Sequence, residues 1–140
     1  MAAFRFCVRP RKRGKEINTV SKTFNLNKMK IVNVNEQQIE ETPHRVNVKN
    51  LYDKDSAQAM HITLYPGESL KPHITPVDVF FYILEGTTEV RVGDETDSVG
   101  KDCLIESPKG IVHCLSNNSD SATRILVVKA PKPTSKSRLL

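Results

Sequence analysis

A chain of 140 residues with 38% hydrophobic and 6% aromatic side chains and no tryptophan supports one modest core and excludes two ordinary domains. No run approaches the ~20 apolar residues that a membrane span requires, and Cys7, Cys103 and Cys114 form no CxxC pair, which argues against a disulfide scaffold and a thiolate zinc site. The net charge of +5 is unevenly spread: residues 1–30 hold nine Lys/Arg against Glu16 alone, while residues 31–140 hold twelve against fifteen acids, so the body is acidic.

The basic arm, residues 1–30, has neither aromatic interleaving nor a periodic face and is expected to be a disordered extension that binds no nucleic acid. Its Arg-rich, acid-poor character is also compatible with an organelle leader, and Met29-Lys30 could serve as a natural start. The default expectation is a soluble cytoplasmic protein. "NEQQIEE" (35–41) makes one helical turn or nothing. From there the chain reads as short strands parted by turns. "RVNVKN" (45–50) and "AMHITLY" (59–65) alternate with period two, the latter setting Met60, Ile62 and Leu64 against His61, Thr63 and Tyr65. Pro66-Gly67 ends that strand. "VFFYIL" (79–84) is apolar on both faces, as a strand buried on both sides would be. "TEVRV" (88–92) runs into a solvated hairpin carrying Asp94, Glu95 and Asp97. Pro108-Lys109-Gly110 separates "CLIES" (103–107) from "IVHCLS" (111–116), and "TRILVVKA" (123–130) closes the series. Turns so regularly spaced predict an all-β sandwich or small barrel over residues 31–130, with 131–140 a flexible tail.

Two spacings stand out within this region. The first is Gly67-x5-His73-x-Thr75-x3-Val79-x6-Gly86, and the second is Pro108-x-Gly110-x2-His113-x3-Asn117. Together they resemble the paired motifs of the cupin family, with Thr75 where the family has a second histidine, Val79 where it has a glutamate, and Asp102 in place of a leading glycine. The resemblance implies a double-stranded, jelly-roll-like β-barrel, a homodimer built by packing of strands, and a pocket lined by His73, Thr75, Val79, Phe81 and His113. It also implies chemistry of the oxygenase, isomerase, epimerase or decarboxylase kind, usually with a divalent metal such as zinc, iron, manganese or nickel.

The residue types weigh on that expectation. His73 and Thr75 are two apart on one strand and share a face, and the Pro-x-Gly turn delivers His113 to a neighbouring strand. The two imidazoles can therefore converge, but a catalytic metal needs about three protein ligands. A third donor would have to be Asp78, one residue out of phase, or His61 on the preceding strand. His44, after Pro43, reads as a loop histidine without a partner. The expected function is the binding of a small polar or anionic molecule in the barrel, with a metal-dependent enzyme having an incomplete or rearranged histidine site as the alternative.

Overall fold

The computed structural model describes residues 27–140, so the basic arm lies, except for its last four positions, outside the described residues. One compact unit runs from Ile31 to Leu140. It opens with a single 3-10 turn, Val34–Glu36, capped by Asn33, whose Oδ1 accepts the Asn35 amide at 2.9 Å.

Ten strands follow: β1 (Asn47–Lys54), β2 (Ala57–Leu64), β3 (His73–Ile74), β4 (Asp78–Glu85), β5 (Thr88–Val92), β6 (Glu95–Val99), β7 (Leu104–Ser107), β8 (Val112–Ser116), β9 (Thr123–Ala130) and β10 (Arg138–Leu139). They form two antiparallel five-stranded sheets, ordered β1-β2-β9-β4-β7 and β10-β3-β8-β5-β6. This is the expected all-β jelly-roll barrel.

Period-two alternation decides which side chains enter the core. Ile62 and Leu64 of β2, Val79, Phe81 and Ile83 of β4, and Ile125 and Val127 of β9 are buried together between the sheets with Val48, Leu70, Val90 and Leu115. On β4 the opposite face, Phe80, Tyr82 and Leu84, is only half-buried, so the strand is less covered on its outer side than its composition predicts. The segment read as a solvated hairpin contains a strand, β6, paired along its length with β5; its exposed Glu95, Thr96 and Asp97 suit an edge that must not template another chain. The tail does not run free. Arg138 and Leu139 pair with Ile74 and His73, and the Leu140 amide donates to the Pro72 carbonyl at 3.1 Å.

Two motif residues hold loops. Gly86 has a φ of +78°, and a Cβ there would lie 2.9 Å from the Ala122 carbonyl oxygen, so only glycine fits. Asn117, fully buried, donates both amide hydrogens, to the carbonyls of Leu64 and Ser121 at 2.8 Å each, and its Oδ1 accepts from Ser119 N–H and Oγ–H at 3.0 and 2.7 Å. Replacing it by alanine strands the buried Leu64 carbonyl and loosens the β8–β9 loop, where Ser119 and the exposed Ser121 also lose a partner. Asn117→Ala is expected to cost about 2–3 kcal/mol in urea unfolding, about 1–2 kcal/mol for the buried bond with the remainder from the loop; a loss below about 1 kcal/mol would contradict this role.

A chain of neutral imidazoles in a cationic pocket

His73 and His113 meet because β3 and β8 pair with these two residues directly opposite. The Pro108–Gly110 turn sets the register: Gly110, at a φ of +78°, donates its N–H to the Thr75 carbonyl at 3.1 Å. The imidazoles stand edge to face with centroids 4.3 Å apart, and Phe81 packs against His113 in the same manner at 5.2 Å. Both histidines are buried.

Hydrogen-bond chemistry fixes the proton on each ring. The Lys71 carbonyl can only accept, so His73 Nδ1, 2.8 Å away, carries a proton and donates it. In the neutral ring His73 Nε2 is then an acceptor, and the proton in the 2.9 Å contact between the two Nε2 atoms belongs to His113. His113 Nδ1 is in turn an acceptor and receives the Ser107 hydroxyl at 2.7 Å. At the other end the Lys71 amide donates to His44 Nδ1 at 3.0 Å, which leaves the proton of that ring on Nε2. The result is a directed chain from the Ser107 hydroxyl through His113 and His73 to the Lys71 carbonyl, with His44 held separately by the amide of the same residue.

Burial is the main reason these rings stay neutral. It pushes His113 down to about 3 and His44 to about 4, with His73 and Lys129 as neighbouring positive charges adding to the shift in both. His73 is lowered by burial as well, although its bond to the Lys71 carbonyl works the other way.

The chain flanks a cavity of about 300 Å³, walled by apolar side chains including Val48, Met60, Ile62, Val79, Phe81 and Val127. His44, His73 and His113 face it, as do Lys129 and, at the mouth, Lys136; among the described residues no carboxylate lines it. The C-terminal segment contributes Pro133, Ser135, Ser137 and Leu139 to the wall. Of the residues expected in the pocket, His73, Val79, Phe81 and His113 line the cavity. Thr75 stands behind them, 1% exposed, with its hydroxyl 3.2 Å from Ser137 Oγ and 3.3 Å from His113 Nε2.

Neither expected third donor reaches the two imidazoles. Asp78 stays out of phase on an exposed strand end, where its Oδ1 accepts the Lys109 amide at 2.8 Å. His61 lies on the face of β2 opposite Met60 and Ile62, and its Nε2 accepts from Arg124 Nε at 3.1 Å. A metal would have to displace the proton shared by His73 and His113, and Thr75 and Val79 offer a neutral hydroxyl and an alkyl group. Among the described residues no group of three or more His, Cys, Asp or Glu is placed to hold an ion. Lys129 adds a like charge to the same cavity. This donor set does not fit a resident transition metal.

His44, expected as a loop histidine without a partner, has one in the Lys71 amide, and Lys129 joins the site without an expectation attached to it. Lys129 was detectable, because it continues the Thr123, Ile125, Val127 face of β9. His44 was not: it reaches His73, at a centroid distance of 4.6 Å, through a Thr42–Arg45 turn in which Arg45 adopts a φ of +56°. No spacing in the chain encodes that approach.

Residues 60–129 match the family model described as the cupin domain. A stretch of 72 residues is 32% identical to the tetracenomycin polyketide synthase protein TcmJ of Streptomyces glaucescens and covers 51% of this chain and 48% of that one. The chain thus spans about half the length of this curated relative. Among solved structures, the polyketide cyclase RemF of Streptomyces resistomycificus superposes with a TM-score of 0.71 at 23% identity over 81% of this chain and 86% of its own. TT1209 of Thermus thermophilus does so with a TM-score of 0.66 at 28% identity, over 75% of this chain and 100% of its own. The motif pair, the two five-stranded sheets and the family match agree: the chain belongs to the cupin family.

Proposed function

We propose that this cupin binds a small, partly apolar molecule bearing an acidic group, and that it does so without a resident metal. The observation that carries the reading is the charge of the cavity wall. Two lysines supply its positive charge beside three neutral imidazoles, and among the described residues no carboxylate lines it, on a mostly apolar wall. An anion entering such a pocket meets donors without a competing acceptor, and the apolar wall holds the remainder of the ligand. A thermal-shift series of aromatic carboxylates against their methyl esters tests it. The acids are expected to raise Tm by several degrees at millimolar concentration and the esters are not; equal shifts, or none, would contradict the reading.

A second reading has its own support. The directed chain of hydrogen bonds joins a hydroxyl and two buried imidazoles, and His44 lines the same cavity with a proton on Nε2, a set that suits acid–base work on an enolisable ligand. The likeness to a protein named as a polyketide cyclase points the same way. The metal-dependent alternative predicts close to one equivalent of zinc, iron, manganese or nickel in untagged protein after supplementation, whereas less than about a tenth is expected here.

The protein is further proposed to be a homodimer in the cytoplasm. The half-covered Phe80 and Tyr82 on the outer face of β4, beside the 52%-exposed Leu104, offer an apolar surface to a second copy. Light scattering at twice the 15.8 kDa chain mass is expected, and a monomer would contradict it. Among the described residues no helix is long and apolar enough to cross a membrane.

A further inference from the structure

Lys129 is an unusual lysine for a surface-rich chain. It lies on the inner face of β9, in register with Val79 of β4 and Gln58 of β2, and lines the cavity with Met60, Phe81 and Val127. A carboxylate at position 79 would face it across the ladder; valine leaves the amine with no ion-pair partner among the described residues. Lys132, three residues on, is the contrast: it is exposed to solvent and paired with Asp53 at 2.7 Å.

We propose that Lys129 captures the carbonyl carbon of an aldehyde or ketone ligand as an imine. The proposal rests on the binding reading above, and it narrows the ligand to a carbonyl compound that also carries an acid group. An amine is nucleophilic only when uncharged, and an apolar site without a counter-ion raises the fraction of an otherwise cationic lysine that is in that form. Burial alone lowers Lys129 from the ordinary lysine range.

The step balances without an oxidant or co-reactant. The Nζ lone pair forms the C–N bond, and the carbonyl π pair moves to oxygen, which takes a proton. Nitrogen gives up one proton to leave the carbinolamine; a second proton on its oxygen lets the C–O bond break with departure of water, and the C=N bond closes as nitrogen releases its second proton. One amine and one carbonyl compound give one imine and one water. The His44 Nε2–H faces the same cavity and can lend the proton at oxygen. Lys136 at the mouth is placed to hold the acid group.

The test is reductive trapping. The full chain is incubated at pH 7 with 4-carboxybenzaldehyde and cyanoborohydride, and the adduct is located by intact mass and peptide mapping. One adduct is expected, on Lys129, at least tenfold faster than on any other lysine, Lys132 included, and absent from Lys129→Met and Lys129→Arg. In parallel, 4-methylbenzoate, which has no reactive carbonyl, is assayed by thermal shift. Even labelling of surface lysines while 4-methylbenzoate still stabilises the protein would overturn imine capture and leave the binding reading standing. If neither probe acts, both fail. The wild-type peptide map decides the matter even if the Lys129 variants do not fold.

Discussion

His113→Ala is expected to lower the unfolding free energy by about 2–4 kcal/mol, seen as a fall in Tm of roughly 10–15 °C. Three losses combine. The buried Ser107 hydroxyl loses its acceptor, His73 Nε2 loses its donor, and a void opens beside Phe81 in a site where His113 is 2% exposed. Each stranded polar atom accounts for about 1–2 kcal/mol, and the void adds to it. His113→Gln can keep one of the two bonds and should fall between the variant and the wild type. A loss within 1 kcal/mol of zero for the alanine variant would mean that the chain of imidazoles contributes nothing to stability.

Acid should unfold this protein earlier than its carboxylates alone would predict. His113 and His44 are held near 3 and 4 in the folded chain, against about 6.5 when unfolded. Between those values the unfolded chain binds more protons than the folded one, so stability is complete above about pH 6.5 and drains as pH falls. The drain stops for each ring once the folded imidazole itself takes a proton, near pH 4 for His44 and pH 3 for His113. Its slope is at most about 1.4 kcal/mol per pH unit for each histidine, and less for half-buried His44. Urea midpoints measured from pH 7.5 to 4.5 should decline with an uptake of one to two protons on unfolding, and His113→Gln should remove close to one of them. A midpoint unchanged over that range would contradict the neutral, buried state of both rings.

The consequence for function follows the same sign. A pocket whose histidines stay neutral at pH 7 draws its positive charge from lysine alone, so ligand affinity should depend on Lys129 and Lys136. Removing Lys129 separates attraction of the acid group from the apolar contribution of the wall, because Lys129→Met retains the length of the side chain and loses the charge.

The strands and their inward faces were legible because alternation is a local property. Met60, Ile62 and Leu64, or Ile125 and Val127, declare their face within five residues. So was the meeting of His73 and His113, since paired motifs with fixed spacing place both on strands that become neighbours. What the chain hides is set by contacts distant in sequence. β3 and β10 have two residues each, too few for a period: β3 is held between β10 and β8, and β10 pairs with β3 alone. His44 is tied to Lys71 across 27 residues by one backbone amide. The loss of the family's carboxylate at Val79 was visible, whereas the amine beside it was not read as its counterpart, although it too follows the period of β9.

Ser107, His113 and His73 form one neutral, directed chain, and His44 stands neutral beside it on the Lys71 amide, at a pocket whose charge comes from lysine. Nitrogen-15 NMR of the histidine side chains at pH 7 reads it directly. A proton is expected on Nδ1 of His73 and on Nε2 of His113 and His44, with no charging of His113 or His44 above about pH 5 and spectra unchanged by a stoichiometric addition of zinc. A charged ring at pH 7, the opposite tautomer at His73, or a shift of both Nε2 resonances on adding zinc would contradict it.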